Sequence, residues 1–339
     1  MEKSPWRLTV DTLLIIFICG LIFRLARPVF FPFFLALFLY YLFSPLLDLS
    51  ARIKIPRPMA IVLLIIVAFA LMYFLGVLIY TSGKALANKL PSYSDQFSNW
   101  VNWAQAKLEQ WGIAHDRFFF FETFNFNRLA NIILSSLGTF LSFLTKLLLI
   151  LVFLFFMLAG RGKLKQKVAA SLDADRAQSV ANLLEVIDQE IQKYLVIKTL
   201  VSLISGSILA LILVLFGVDF ALMFGLMAFL LNYIPSIGSI VAIFIPTLYT
   251  ALQFGSLWRA LWVWLLLVAT DFLIANVLEP KIMGQSLGLS PLAVLFSLFF
   301  WGWLWGIPGM ILAVPILATL KIIADHFPSL RLLSALLGR

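Results

Sequence analysis

The stretch that decides the fold is "FALMFGLMAFLLNYIPSIGSIVAIFIPTLYTALQF", residues 220–254. As one helix these residues would extend about 52 Å, whereas the hydrocarbon core of a bilayer is about 30 Å thick. The central "NYIPSIGS" interrupts the stretch with a proline and a glycine, and the part before it, 220–233, would make only about 21 Å of helix. The pattern predicts two half-helices that meet at the break. The alternative is a kinked crossing, in which 237–254 continues through the bilayer.

A second stretch repeats this pattern. Residues 291–325 are equally long and break at "WGIPGM", and full-length apolar spans, 198–217 and 257–278, precede the two broken stretches. Because Lys198 is predicted inside, the first hairpin would enter the membrane from outside and the second from inside. Two units of opposite orientation with broken helices are typical of secondary transporters that operate by alternating access.

The composition of the chain places it in a membrane. The chain has 339 residues, of which 63% are hydrophobic and 12% charged, and its mean hydropathy is +1.04. A crossing needs roughly 20 apolar helical residues, and stretches of about that length lie at 8–23, 28–47, 59–81, 138–160, 198–217 and 257–278. We therefore expect an all-α, polytopic transmembrane protein with about eight membrane segments, counting broken or re-entrant half-helices in the C-terminal third.

The positive charges indicate the topology. The net charge of +9 is scattered among short loops, which argues against a nucleic-acid partner, and the loops 48–57 and 161–176 are the most basic. The positive-inside bias makes both loops cytoplasmic and residues 82–137 extracytoplasmic. The predicted regions are N-terminal spans (1–81), an outer amphipathic helical segment (82–137), a span (138–160), a cytoplasmic helical connector (161–197), a transport core (198–325) and a cytoplasmic C-terminal tail (326–339).

The outer segment carries an apolar face at helical spacing. The face consists of Tyr93, Phe97, Trp100, Ala104, Leu108 and Trp111. Such a helix either lies on the membrane surface or packs on its own protomer, or it makes a subunit contact outside the bilayer. The run "FFFF" at 118–121 is interpreted as a membrane anchor.

Asp271 is the ionisable residue deepest in a predicted span. An aspartate at the centre of a span costs roughly 2.5 to 3.5 kcal/mol on insertion scales, so its side chain should face protein or water. It is either a proton or cation site or a partner for Lys281, Arg259 or the backbone of another helix. Asn276 and Glu279 lie three residues apart on the same predicted helical face, and Pro280 is expected to end that helix.

The first break supplies neutral polar groups. Asn232 and Tyr233 bring an amide and a phenol to it, as a small polar solute would need in an apolar cavity. For Asn232 the alternative is to cap broken backbone. Pro235 and Gly238 form this break and Pro308 and Gly309 the second, and the glycines would let two backbones approach closely.

The sequence contains no motif that is typical of an enzyme. The only histidines are His115 and His326, and there is no metal-ligand spacing, nucleophile elbow or phosphate-binding loop. We therefore predict no enzymatic activity, no cofactor and no bound metal. Active transport would have to draw on a gradient instead of ATP hydrolysis.

Three stretches carry a family resemblance: "RPVFFPFFLALFLYYLFSPLLDL", "NYIPSIGSIVAIFIPTL" and "LEPKIMGQSLGLSPLAVLFSLFFWGWLWGIPGMILAVPI". The sequence resembles the autoinducer-2 exporter family over nearly its whole length, and the motif positions are Glu279, Pro280, Lys281, Gly284, Gly288, Pro308 and Gly309. The resemblance implies a bacterial inner-membrane protein that assembles as a homo-oligomer, with a pentamer as one option. Some members are linked to autoinducer-2 export, others to exchange of sodium or lithium for protons, and many have no assigned substrate.

Three functions follow from the sequence and the resemblance. The leading one is gradient-driven or facilitated export of a small polar molecule, with autoinducer-2 as the best named cargo and a path through the C-terminal third. The second is a sodium(lithium)/proton antiporter that uses Asp271, with Glu279 as a further candidate. The third is a membrane scaffold without transport activity. For each, we expect a multi-pass inner-membrane protein in contact with lipid, with both termini in the cytoplasm.

Overall fold

The computed structural model describes residues 20–110, 125–161, 174–283 and 288–338, together with Leu14 and Ile18. Within these ranges the secondary structure is helical, apart from an isolated backbone bridge between Leu289 and Gly338. The all-α prediction is confirmed.

The described helices are numbered here in chain order. In chain order they are α1 (Arg27–Arg52), α2 (Arg57–Lys89), α3 (Ser94–Gln110), α4 (Phe126–Gly160), α5 (Ala174–Leu215), α6 (Ala221–Leu231), α7 (Ile237–Phe254), α8 (Leu257–Leu273), α9 (Glu279–Met283), α10 (Pro291–Trp305), α11 (Ile307–His326) and α12 (Arg331–Leu337). Short 3₁₀ turns, Leu90–Tyr93 and Pro328–Leu330, and a π-helical turn, Ile274–Leu278, lie between them.

The described part of the chain has the helices of a multi-pass membrane protein. Six of them are long and apolar enough to cross a membrane, and further apolar helices, such as Ala221–Leu231 and Pro291–Trp305, are shorter. Large apolar side chains face outward on these helices, with exposed fractions of 74% for Leu215 and 76% for Leu292. Apolar surface of this kind is buried by lipid. The predicted span at 8–23 falls largely outside the described residues.

The chain forms two compact units. The first comprises Met1–Phe69, Lys146–Thr199 and Pro280–Arg339, and the second comprises Ala70–Thr145 and Leu200–Glu279. Helix α5 runs without a break through the predicted boundary between connector and transport core. The two broken stretches therefore belong to different units.

In the second unit, residues 220–254 fold back on themselves. The Tyr249 ring of α7 packs against Phe220 and Phe224, with ring centroids 5.7 and 5.4 Å apart. At the end opposite the break, which we call the open end, the Gln253 side chain accepts a hydrogen bond from the Asp219 N–H (2.9 Å) and donates one to the Gly217 carbonyl (3.0 Å). Helices α6 and α7 therefore form a hairpin, the first hairpin, and the kinked crossing is not observed.

The outer amphipathic segment packs on this hairpin within its own protomer. The Tyr93 and Tyr249 hydroxyls lie 3.2 Å apart, and Lys89 forms an ion pair with Asp219 beside the open end. Phe97 and Trp100 join the same buried apolar cluster. This arrangement favours packing on the protomer over a subunit contact. The side chains of Ala104 and Leu108, Trp111 and the run 118–121 are outside what the structure describes.

The first unit contains the second hairpin, formed by α10 and α11. The Ser297 hydroxyl of α10 donates to the Ala313 carbonyl of α11 at 3.0 Å. The open end joins the C-terminal segment, where the Ser290 N–H donates to the Leu337 carbonyl at 2.8 Å. Both broken stretches are thus helical hairpins, as the sequence predicted.

Candidate functional site

The tip of the first hairpin is a strained turn. The Ile237 N–H donates to the Pro235 carbonyl at 2.7 Å, and Ser236 between them has φ 62° and ψ −55°. These values describe a γ-turn with a positive central φ, the rare and strained type, which is unusual for a residue other than glycine. Two residues later, a Cβ at Gly238 would collide with the Leu231 carbonyl, so only glycine allows α7 to start so close to α6.

Asn232 links the tip to a neighbouring helix. Its Nδ2 donates to the Ser202 hydroxyl of α5 at 3.0 Å, and the Ser202 side chain is fully buried. Within the described ranges this bond to Ser202 is the one hydrogen bond of the Asn232 side chain, and at the end of α6 it is the Asn232 backbone N–H that donates, to the Ala228 carbonyl at 2.9 Å. The capping alternative is therefore not what the structure has, and the amide bridges two helices instead.

A small polar cavity lies beside Asn232. Its volume is about 20 Å³, which is room for about one water molecule. Its polar lining comes from α5, the hairpin and α8, and consists of Ser205, Asn232, Ser239, Thr270 and Asp271. The remaining wall is apolar: Leu209, Ala228, Ala242, Ile243 and Leu267. The structure therefore brings together two residues, Asn232 and Asp271, that were selected independently from the sequence.

Asp271 contributes a carboxylate to this cavity without a charged partner. In the described ranges its side chain makes no hydrogen bond or ion pair, and the Arg259 guanidinium lies over the Phe254 ring, 4.0 Å from the centroid. Thr270, next to it in the lining, donates its hydroxyl to the Leu266 carbonyl at 2.7 Å, so its oxygen can act only as an acceptor towards a ligand. Of the two readings of Asp271, this geometry favours the proton or cation site.

The helix beyond Asp271 does not end at Pro280, and that expectation was wrong. The π-helical turn Ile274–Leu278 follows α8, and Pro280 lies in the first turn of α9. A proline is tolerated there because the first N–H groups of a helical turn need no partner within the helix. The helical run therefore continues to Met283.

The π-helical turn also separates Asn276 from the cavity. Asn276 is exposed and donates to the Phe272 carbonyl at 3.0 Å, while Glu279 is half-buried and Lys281 exposed. The cavity lining does not include these residues.

Tyr233 is buried and packs edge-on against Phe229, with ring centroids 5.8 Å apart. Gly284 lies outside the described residues.

The second break is aromatic. Gly306 forms the turn with φ 73° and ψ −151°, and a Cβ at Gly309 would collide with the Trp301 carbonyl. Trp305 is fully buried, and its indole N–H donates to the Phe23 carbonyl at 3.3 Å. Pro308 is the second residue of α11, and Gly288 lies at the open end with φ 63°. Gly309 therefore lies against Trp301 and Trp305, whereas positions for a Cβ at Gly306 and Gly288 lie 3.5 Å from the Arg27 guanidinium and 3.7 Å from the Lys321 ammonium.

The first unit also holds a larger polar cavity that sequence reasoning missed. It has a volume of about 610 Å³ and lies among α1, the end of α4 and α5. Arg161 forms a bidentate ion pair with Asp48 (2.7 and 3.0 Å), and the Tyr41 hydroxyl donates to Asp188 at 2.9 Å. The available signal was the four-residue spacing of Tyr40, Ser44 and Asp48, which puts polar groups on one face of an apolar helix. We call this space the tyrosine cavity.

Lipid-facing apolar helices, two broken hairpins and an internal polar cavity define the class of polytopic helical membrane transporters. A sequence model described as AI-2E family transporter matches residues 12–329, and the chain belongs to this family. The family resemblance expected from the motifs is thus confirmed.

Relatives with similar full-length sequences support the same family. A putative transport protein of Haemophilus influenzae is 32% identical over 320 residues, which cover 93% of this chain and 91% of the relative. The AI-2 transport protein TqsA of Escherichia coli is 32% identical over 314 residues, covering 93% and 90%. A putative transport protein of Borreliella burgdorferi is 30% identical over 340 residues, covering 99% and 92%. The chain is a multi-pass membrane protein of a bacterial transporter family.

Proposed function

We propose that this protein exports a small polar molecule, gradient-driven or facilitated, and that autoinducer-2 is the best named candidate. The name of the Escherichia coli relative supports this cargo, since that protein is described as an AI-2 transport protein. Membership of a transporter family argues against a scaffold without transport activity.

The observation that carries the proposal is the polar cavity beside the first hairpin. Polar and ionisable groups inside membrane-spanning helices are costly and are usually found where a solute or ion passes. Asn232 and Asp271 reach the cavity from different helices, together with three hydroxyl side chains. A path that touches both residues would offer donors and acceptors to a hydroxylated solute.

The volume of this cavity means that the hairpin must move during transport. A cavity of about 20 Å³ accepts a water-sized group, whereas a furanone, the chemical class of autoinducer-2, contacts both Asn232 and Asp271 only when α7 and α8 separate. The strained turn at Ser236 and the close approach at Gly238 make the tip a natural hinge, because stored backbone strain lowers the barrier between two arrangements.

An inner-membrane location with both termini in the cytoplasm belongs to the same proposal. Contacts within each unit support it: Lys89 of the predicted outer segment pairs with Asp219 at the open end of the first hairpin. In the first unit, the predicted cytoplasmic loops meet where Arg161 binds Asp48, and Ser179 of the connector lies 3.0 Å from His326 of the tail. Assembly as a homo-oligomer, with a pentamer as one option, stays a prediction.

The test is reconstitution of the full chain into liposomes with an imposed gradient. We expect furanone flux in the wild type and at least about a tenfold loss in Asn232→Leu, because a lost desolvated hydrogen bond is worth at least one factor of ten. Asp95→Asn, an exposed aspartate of α3, should behave like the wild type. Sodium-driven alkalinisation that disappears in Asp271→Asn, without any furanone flux, would overturn export.

Sodium(lithium)/proton antiport is the second candidate, and the size of the same cavity favours it. A water-sized space lined by hydroxyl, amide and carboxylate oxygens fits a dehydrated alkali cation without movement of the helices. Asp271 would bind the cation when ionised and a proton when neutral. Furanone flux that is unchanged in Asp271→Asn and insensitive to sodium would exclude this mode.

A further inference from the structure

We infer that the tyrosine cavity of the first unit binds a small uncharged solute that carries several hydroxyl groups. This inference rests on the proposed function, because it assigns a recognition site for the cargo outside the small cavity at Asp271. The volume of the tyrosine cavity, about 610 Å³, lies within the range of about 300 to 1,000 Å³ typical of small-molecule sites.

The charges around the tyrosine cavity exclude an anionic ligand. The guanidinium of Arg161 is already bound by both carboxylate oxygens of Asp48 and also donates to the Ser44 carbonyl at 3.3 Å. Asp188 makes no ion pair in the described part of the chain. Phosphate or carboxylate groups would therefore meet a neutralised cation and an uncompensated negative charge.

The neutral amides and hydroxyls in the lining suit a ligand that carries hydroxyl groups. Amides and hydroxyls both donate and accept hydrogen bonds, as an alcohol does, whereas an ammonium group would instead donate to the Asp188 carboxylate, so a diamine is the competing ligand in the test. Gln192 lines the cavity, is half-buried and makes no hydrogen bond within the described ranges. Its amide is thus available to a ligand, and Gln189 offers a second amide that is held by Glu185 at 3.3 Å.

The aromatic part of the lining suits the apolar faces of such a solute. The rings of Tyr40 and Tyr41 pack edge to face, with centroids 5.3 Å apart, and Phe156 lies on the opposite helix. A ring with hydroxyl groups on its edge presents C–H groups that pack on aromatic surface while its edge reaches amides and carboxylate. Tyr41 is held in place for this by its hydrogen bond to Asp188.

Binding of D-ribose to the full chain in lipid nanodiscs tests the assignment by calorimetry, without any flux. We expect ribose to bind, and ribose 5-phosphate and putrescine to bind at least about tenfold more weakly. Gln192→Leu should weaken ribose binding about tenfold, whereas Gln178→Leu on the same helix should not, because Gln178 pairs with Asn182 at 2.9 Å away from the cavity. Gln192→Glu, which keeps the side-chain size, replaces Gln192→Leu if that variant unfolds.

Three results would overturn the inference: no ribose binding by the wild type, equal ribose affinity in Gln192→Leu and Gln178→Leu, or tighter binding of putrescine than of ribose. The two proposals fail separately. Ribose binding without furanone flux in liposomes contradicts export and leaves the tyrosine cavity as a polyol site. Furanone flux without polyol binding contradicts the cavity assignment and leaves export standing.

Discussion

The two hairpins start from the same sequence device and differ in what surrounds the break. Each follows an Ile-Pro pair with a glycine that packs against a carbonyl of the preceding helix: Gly238 on Leu231 and Gly309 on Trp301. At the first break, Asn232 bonds to Ser202 and faces a polar cavity. At the second, Trp305 packs among aromatic rings, including Phe30 and Phe34.

This difference shows that the residues that shape a hairpin are not the residues that give its break a polar environment. Both hairpins have the proline and the close-packed glycine at the fold-back, in either unit. At the first break a hydrogen bond from Asn232 to Ser202 on another helix adds a small polar cavity. We therefore expect the first hairpin to control transport selectivity and the second to be mainly a packing element.

The largest effect should come from the two close-packed glycines. Gly238→Leu and Gly309→Leu force the paired helices apart, at a cost of about 1 to 3 kcal/mol or more in the free energy of unfolding, and should impair transport without abolishing membrane insertion. Gly138→Leu is the matched control, because no heavy atom lies within 4 Å of a Cβ there. Wild-type flux in both hairpin variants, measured in liposomes, would count against a transport role for either break.

Polar and aromatic variants at the two breaks test the division of roles. Asn232→Leu leaves the buried Ser202 hydroxyl without its partner Asn232. We expect the free energy of unfolding to fall by about 1 to 3 kcal/mol and the set of transported solutes to change. Trp305→Phe removes the hydrogen bond to Phe23 and leaves a small cavity, so it should lower the free energy of unfolding by about 1 to 3 kcal/mol without changing solute preference. Competition between solutes in the liposome assay measures the preference. Altered preference in Trp305→Phe alone would reverse the assignment.

The turn residues should respond in opposite directions. Ser236→Gly relieves the strained γ-turn and should raise the free energy of unfolding by up to about 1 kcal/mol, since relief of strain exceeds the added entropy of the unfolded chain. Gly306→Ser puts a side chain at φ 73° and ψ −151° and should lower the free energy of unfolding by about 1 to 3 kcal/mol. Thermal unfolding in detergent compares the two. A lower midpoint for Ser236→Gly would mean that the turn is unstrained.

The smallest effect is expected at the open end of the first hairpin. The Lys89–Asp219 ion pair is exposed, so Asp219→Asn should cost less than about 1 kcal/mol and even less at high salt. Gln253→Leu removes two hydrogen bonds to the 217–219 backbone and should cost more. A larger loss in Asp219→Asn than in Gln253→Leu, again by thermal unfolding, would show that the ion pair holds the hairpin closed.

The errors and omissions of the sequence interpretation have specific physical causes. Pro280 was expected to end its helix, because a proline removes a backbone donor, but the preceding π-helical turn shifts Pro280 into a first turn where that donor is not needed. The tyrosine cavity was missed because Tyr41 and Asp188 are 147 residues apart, and no local pattern predicts their contact. Asn232 was a candidate from its position at the break, but no local pattern pairs it with Ser202, its hydrogen-bond partner on another helix.

The sequence by itself determined the class of protein, the positions of most membrane helices and both hairpins, because bilayer thickness and the breaking of helices by proline and glycine act locally. Tertiary structure alone decided which break is polar, that Asp271 lies with Asn232 beside a water-sized cavity, and that a larger polar cavity exists in the other unit. These features depend on helices that are distant in sequence but packed together. Periodicity along one helix tells which face is polar, but not which other helix meets it.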